Sequence, residues 1–251
     1  MKQLFKETIL NLLLATGIFA LVVIFLYICG LVVNEDGTLQ DSLLPLEMIA
    51  GIIGSAYVLI VRNPQNFLGF IVGIIMSILL GIQFYLQGMP EQTMLYYAVF
   101  IPCQIYTLIR WAKGSKEPKN SKYSKPSFLS VRGFLIGIGA FILIMLAVIF
   151  LLQRGEQTLA TLMSAAVVAS STQANFLMIR KRTDAWIYWL IFSVTGIIQM
   201  ICLANYVTLT LYVLYLFING SACFAWCKQT DADRRGWLMA KSWKKGNWKY
   251  N

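Results

Sequence analysis

Residues 180–193 read "RKRTDAWIYWLIFS": three cations run into two tryptophans three residues apart, then into apolar chain. Lys and Arg collect on the cytoplasmic side of a membrane and Trp favours the headgroup level, so this is the order of an inner turn leading into a spanning helix. Trp186 is expected at that level as a headgroup anchor. Trp189, one turn deeper, is expected to begin a level where a ligand binds.

The whole chain has the composition this reading requires. Of 251 residues, 58% are hydrophobic and 13% charged, with a mean hydropathy of +0.67. A soluble domain carries about 25% charged residues, so this is an integral membrane protein with no room for a separate soluble domain. Apolar runs lie at 8–33, 48–61, 66–87, 93–109, 133–152, 158–179, 185–205 and 207–227. A spanning helix needs about 20 residues; the short second run is extended by Leu43 to Leu46 and the stem of Arg62. The first run is too long for the apolar core of a secretion signal, and no small-residue cleavage site precedes "NEDG". It is expected to stay as a helix.

Charge tests the count of eight spans. With the N-terminus inside, the inner segments are 1–7, 62–65, 110–132, 180–184 and 228–251, and they hold 20 of the 21 Lys and Arg residues. Arg154 alone falls outside, while the outer loops carry Glu35, Asp36, Asp41, Glu47, Glu91 and Glu156. This bias obeys the positive-inside rule, and the expected location is the plasma (inner) membrane with both termini cytoplasmic. The net charge of +10 and the tail "RRGWLMAKSWKKGNWKY" read as contacts to anionic lipid headgroups. No nucleic-acid partner is expected.

Several chemistries lack their residues. There is no His; Cys223 and Cys227 sit one turn apart but two thiols alone make no zinc site. No phosphate-binding loop, no HExxH and no buried carboxylate pair occurs. No enzyme activity, metal or cofactor is expected. No Asp, Glu, Lys or Arg falls inside a span as drawn, whereas ion-coupled carriers need such a group. An uncoupled facilitator fits.

A weak internal repeat organises the spans. "AYVLIVRNPQNF" (56–67) aligns with "NFLMIRKRTDAW" (175–186) at a shift of 119, and "YAVFIPCQIYTLIRW" (97–111) aligns with "YVLYLFINGSACFAW" (212–226) at a shift of 115. The four-residue difference falls near the outer turn at "QGMPEQ". The expected fold is all-α: two parallel three-helix repeats joined by a linker helix, plus an extra N-terminal transmembrane helix. The divisions are 1–46 (first helix and outer loop), 47–112 (first repeat), 113–157 (basic inner loop and linker), 158–228 (second repeat) and 229–251 (basic tail). Three helices and one linker shift the second repeat by four spans, so both copies insert the same way round with a substrate path between them. In the linker, Gly133 and Gly137 have the GxxxG spacing of close helix packing. Pro102 reads as a kink or a hinge.

The aligned helices carry matching stripes on one face: Tyr97, Phe100, Gln104, Thr107 and Trp111 in the first, Tyr212, Tyr215, Asn219, Ala222 and Trp226 in the second. Gln104, Ser193 and Asn219 each lie seven residues deeper than a tryptophan at the inner face, about 10 Å. Three hydrogen-bonding side chains on three helices therefore share one level. Aromatic faces with amide groups suit a flat heteroaromatic ligand with polar edges. The same residues could instead be glue between helices, and a non-transporting membrane interaction protein is the alternative from another class.

With "AWIYW" (185–189), "PCQIYTLIRW" (102–111) and "LYVLYLFINGSACFAW" (211–226) in this order, residues 45–228 resemble the PnuC-type vitamin transporters, whose best-known members carry nicotinamide riboside. The resemblance implies facilitated diffusion driven by a cytoplasmic kinase that traps the substrate. It implies Trp186, Trp189 and Gln104 as substrate contacts, completed by Tyr212, Tyr215 or Asn219; Phe100 and Ser193 are expected in the site from their depth in the bundle. Such members usually carry Asn where this chain has Ser193, so thiamine, riboflavin and deoxynucleosides stay open as substrates beside nicotinamide riboside. The extra first helix is expected to be peripheral, and self-association is left open.

Overall fold

In hydrocarbon a backbone must satisfy its own N–H and C=O groups, which leaves helices as the way across for such apolar runs. The computed structural model describes residues 2–28, 44–114, 126–151 and 158–246. The loop with Glu35, Asp36 and Asp41, together with Cys29, the basic segment 115–125, Arg154 and Glu156, lies outside the described residues, as do the side chains of 231–246. In chain order come α1 (Lys2–Ile28), α2 (Leu44–Val61), α3 (Gly69–Leu86), α4 (Pro90–Met94), a π-helical turn (Leu95–Phe100), α5 (Ile101–Gly114), α6 (Val131–Leu151), α7 (Leu159–Ile179), α8 (Ala185–Cys202) and α9 (Tyr206–Gly246). Among the described residues six helices are long and apolar enough to cross a membrane, and the apolar part of α2, Leu46–Val61, is shorter. Among the described residues there is no strand, only an isolated bridge between Ser127 and Arg182.

Helix α7 is the packing centre, touching α5, α6 and α8. Its sequence "SAAVVASSTQAN" (164–175) shows why: small residues let neighbouring backbones close in where apolar burial gives no drive, and nearly all of this stretch is buried. Ser170 and Ser171 return their hydroxyls to the carbonyls of Ala166 and Val167. At its start Thr158 and Thr161 form a reciprocal capping box. Helix α2 packs on α3 and α9, and α8 packs on α7 and α9.

The π turn answers the question of Pro102. A proline inside a helix lacks an N–H and presses on the carbonyl four residues back. Here the turn just before it takes the wider i→i+5 pattern, which absorbs that conflict. The extra residue also changes the buried face. Tyr97, expected on the stripe, is 41% exposed and donates to the Ile78 carbonyl at 3.3 Å, whereas Tyr96 is 3% exposed and takes the inward place. The rest of that stripe holds: Phe100, Gln104, Thr107 and Trp111 are buried, as are Tyr212, Tyr215, Asn219, Ala222 and Trp226.

One further expectation is corrected. Glu47 is not in a loop; it lies in the first turn of α2, buried and hydrogen-bonded. Helix α1 lies at the edge of the bundle with most of its apolar side chains exposed, yet Phe19 is buried in the core and Glu7 accepts from Asn63 Nδ2 at 3.0 and 3.1 Å. Asn66 reaches Thr8 at 3.2 Å, so α1 braces the turn between α2 and α3. The segment before α6 does the same for the turn between α7 and α8: Ser127 N donates to Lys181 O at 3.1 Å and Leu129 N to Asp184 Oδ2 at 2.7 Å. In α6, the close approach falls at Gly137 against Tyr188 and Gln173, while a side chain at Gly133 would meet only nearby residues of its own segment.

Candidate functional site

Between α2, α3, the π turn, α8 and α9 lies a small cavity. Its walls are Tyr57, Val58 and Val61 from α2, Met76 from α3, Tyr96 and Phe100 from the π turn, Trp186, Trp189 and Phe192 from α8, and Tyr215 and Asn219 from α9. Of the residues expected from the sequence, Phe100, Trp186, Trp189, Tyr215 and Asn219 line it. Tyr212 stands behind this wall, its ring 5.1 Å from Phe192 and 6.3 Å from Tyr215. Ser193 also lies behind it, bonded to Asn219 at 3.0 Å. Gln104 sits beside Tyr57 over Gly73, its Oε1 3.3 Å from Ser77 Oγ. The structure thus brings Ser193 and Asn219 together, while Gln104 belongs to the α3 and α5 side.

Aromatic geometry is fixed by ring-on-ring contacts. Trp189 meets Phe100 edge-on at 5.9 Å and Phe192 at 5.4 Å. Trp186 is 1% exposed and packs edge-on against Trp226 at 5.5 Å, which overturns its reading as a headgroup anchor. Glycines make room for two of these rings: a Cβ on Gly54 would overlap the Tyr215 hydroxyl, and one on Gly196 would overlap the Tyr212 ring. Gly54→Ala is therefore expected to lower the uptake rate at subsaturating substrate by about tenfold. Overpacking of this kind costs about 1–3 kcal/mol, against a helix-propensity gain of about 1 kcal/mol. A transport assay beside a melting curve checks both.

The cavity holds polar atoms that the protein itself does not satisfy. Tyr57 Oη, Trp186 Nε1 and Asn219 Oδ1 are buried without a partner, and so is Gln104 Nε2 next to Tyr57. Buried polar groups are almost always paired, and leaving one unpaired costs about 1–3 kcal/mol. Such a set around one space is the complement of a ligand with polar edges.

Hydrogen bonds tie the helices together towards both ends of the bundle. At one end, Trp226 Nε1 donates to Arg62 O at 2.9 Å and Trp111 Nε1 to Met178 O at 3.2 Å. At the other, Gln83 Nε2 donates to Glu47 Oε1 at 3.3 Å and Thr208 Oγ1 at 3.2 Å. Gln92 Nε2 donates there to Gln199 Oε1 at 3.0 Å, and Ser164 Oγ donates to Glu91 at 2.7 Å.

Lys181 marks the tryptophan end. It lies in the turn before α8 at φ +50, 6% exposed, with its amine 4.5 Å from the centre of the Trp111 ring. Burial pushes its pKa from 10.5 down to about 8. Between those two values the unfolded chain holds more protons than the folded one, so stability rises with pH across that window. Below about pH 8 the cost of burying the charge is carried in full. Melting curves from pH 8 to 10.5 are expected to rise in the wild type relative to Lys181→Met, which removes this contribution.

Helices around an aromatic space with unsatisfied polar atoms in its wall fit a membrane transport protein, the class to which the matching family belongs. The chain belongs to the family described as nicotinamide mononucleotide transporter, which matches residues 44–228. Its fold is similar to that of the vitamin B3 transporter PnuC, whose crystal structure superposes with a TM-score of 0.67 at 22% identity, covering 90% of this chain and 92% of that one. No curated protein sequence matches the chain.

Proposed function

We propose that the chain is a facilitator for an unphosphorylated vitamin or nucleoside with a flat heteroaromatic ring, nicotinamide riboside first among them. The observation that carries this is the aromatic cavity with Tyr57 Oη, Trp186 Nε1 and Asn219 Oδ1 unpaired in its wall. Aromatic faces attract a delocalised cation such as a pyridinium ring. Among the described residues no Lys or Arg is in the wall, and an unpaired phosphate there would be costly. That favours the nucleoside over the mononucleotide of the family's description, with phosphorylation by a cytoplasmic kinase trapping it after entry. Among the same residues no carboxylate or amine is in the wall either, which supports uptake without coupling to protons or ions. Thiamine, riboflavin and deoxynucleosides offer comparable rings and are the same-family alternatives.

Eight spans in a parallel three-one-three plan, with the tryptophan end cytoplasmic, best explain the paired contacts. Helix α2 meets α9 as α5 meets α7. Trp226 binds the end of α2 as Trp111 binds the end of α7, and Gln83 with Thr208 has its counterpart in Gln199 with Gln92. Each pair relates the first or second helix of one repeat to the last helix of the other.

Proteoliposome uptake of radiolabelled nicotinamide riboside tests the proposal, with nicotinamide mononucleotide and thiamine as competitors. Saturable uptake that ignores a pH gradient, with weak competition from the mononucleotide, is expected. Equal competition by the mononucleotide, or uptake that follows the gradient, would sink it.

A further inference from the structure

Ser193 does not touch the cavity, yet it settles what Asn219 offers to it. Ser193 is fully buried, and its hydroxyl donates to the Trp189 carbonyl at 2.9 Å. A hydroxyl has one hydrogen, so towards Asn219 it presents only a lone pair. Asn219 Nδ2 donates to that oxygen at 3.0 Å and to the Trp189 carbonyl at 3.2 Å. Turning the amide over would set its oxygen against two acceptors. The network therefore fixes the orientation: the NH₂ faces α8, and Oδ1, buried without a partner, faces the cavity. At Asn219 the wall presents a pure acceptor, whereas Trp186 Nε1 on α8 is a pure donor.

We infer that Ser193 is a positioning residue that holds Asn219 with its carbonyl inward, and so selects flat heterocycles bearing an N–H donor, a primary carboxamide or an exocyclic amine, over analogues with a carboxylate or oxo group in its place. This rests on the reading that the cavity carries the substrate. A site built to hydrogen-bond a donor rejects the analogue that lacks it, because its own acceptor is left unpaired. An oxygen in that place adds repulsion between two acceptors.

The test uses the full chain in proteoliposomes and two ligand pairs: nicotinamide riboside with nicotinic acid riboside, and thiamine with oxythiamine. Wild type is expected to prefer the nitrogen-bearing member of a pair by about tenfold or more. Ser193→Ala is expected to reduce that preference to about threefold, through KM and with kcat kept. Ser193→Cys, close in size and a weak acceptor, is expected to fall between and serves if the alanine variant does not fold. A merely structural role would weaken both members of a pair alike, and that result, or equal affinities in the wild type, overturns the inference. If neither pair is taken up, the substrate reading fails, and the orientation is then judged without ligand. In ¹⁵N-asparagine-labelled protein, the side-chain amide signal absent from Asn219→Leu is expected to lose exchange protection in Ser193→Ala; an unchanged signal overturns the inference.

Discussion

Replacing Trp189 by phenylalanine is expected to raise KM for uptake by about tenfold, and replacing it by alanine to raise KM by about a hundredfold. The argument starts from the ring's position. Trp189 is 7% exposed and lines the cavity, held edge-on by Phe100 at 5.9 Å and Phe192 at 5.4 Å. It joins the two halves of the aromatic wall, since Phe100 belongs to the π turn and Phe192 to α8. Stacking of one base on one aromatic side chain is worth about 1–3 kcal/mol, and about 1.4 kcal/mol is tenfold. Phenylalanine keeps part of that face and most of the packing. Alanine forfeits both, and a core Trp→Ala change costs about 3–5 kcal/mol of stability, so its melting temperature should fall as well. The phenylalanine variant separates the roles: a raised KM at an unchanged melting temperature marks a binding surface. Loss of stability with KM intact would show that Trp189 only packs.

Why Trp189 could be found in the sequence, and Tyr57 could not, is a matter of which signals are local. Trp189 follows a basic turn by a fixed number of helical residues, so both its depth and its face can be counted. The same counting reached Phe100, Tyr215 and Asn219. Tyr57 carries no such mark: its repeat counterpart at the shift of 119 is Phe176, which is 51% exposed. Its inward place comes from how α2 lies against α3 and α9, which is information between helices. Tyr96 was hidden for another reason. Periodicity assumes 3.6 residues per turn, and the π turn adds a residue just where the stripe crosses the cavity, so the count selected Tyr97. Trp186 was misplaced because a tryptophan beside a basic turn is usually an interface anchor; its burial depends on Trp226 packing across from α9.

Ser193 shows the opposite limit. Its level beside Asn219 was legible from helical rise, since both lie seven residues from a tryptophan. Its function was not, because a residue type read alone suggests a small polar wall. The bonds to Trp189 and Asn219 make it a support behind the wall.

Glu47→Ala is expected to lower the melting temperature by about 10 °C and to open the end of the bundle that we place outside. An apolar run read by hydropathy ends at a charge, which is why the sequence assigned this residue to a loop. In the structure a single carboxylate oxygen accepts from Gln83 at 3.3 Å, from Asn205 at 3.4 Å, from Thr208 at 3.5 Å, and from Gln87. The donors come from α3, from α9 and from the residues beside each, while Glu47 itself belongs to α2. Hydrogen bonds to a charged group contribute about 1.5–3 kcal/mol each, and each buried donor left without its acceptor costs about 1–3 kcal/mol. In a chain of this size 1 kcal/mol moves the melting temperature by about 2–4 °C. Glu47→Gln keeps the volume but offers a neutral oxygen and a competing NH₂, so an intermediate loss is expected. The set also ties α2 to α9, the contact that must part if substrate is to enter from this side. A cysteine placed at Thr208, 2% exposed and bonded to Gln83, should label slowly with a membrane-impermeant thiol reagent added outside. The cysteines at 103, 202, 223 and 227 are free, so the comparison needs them, and Cys29, replaced first. Adding Glu47→Gln should speed the labelling several-fold at a temperature where both proteins are folded. Equal labelling, with an unchanged melting temperature, would mean that the carboxylate holds neither the fold nor the closure.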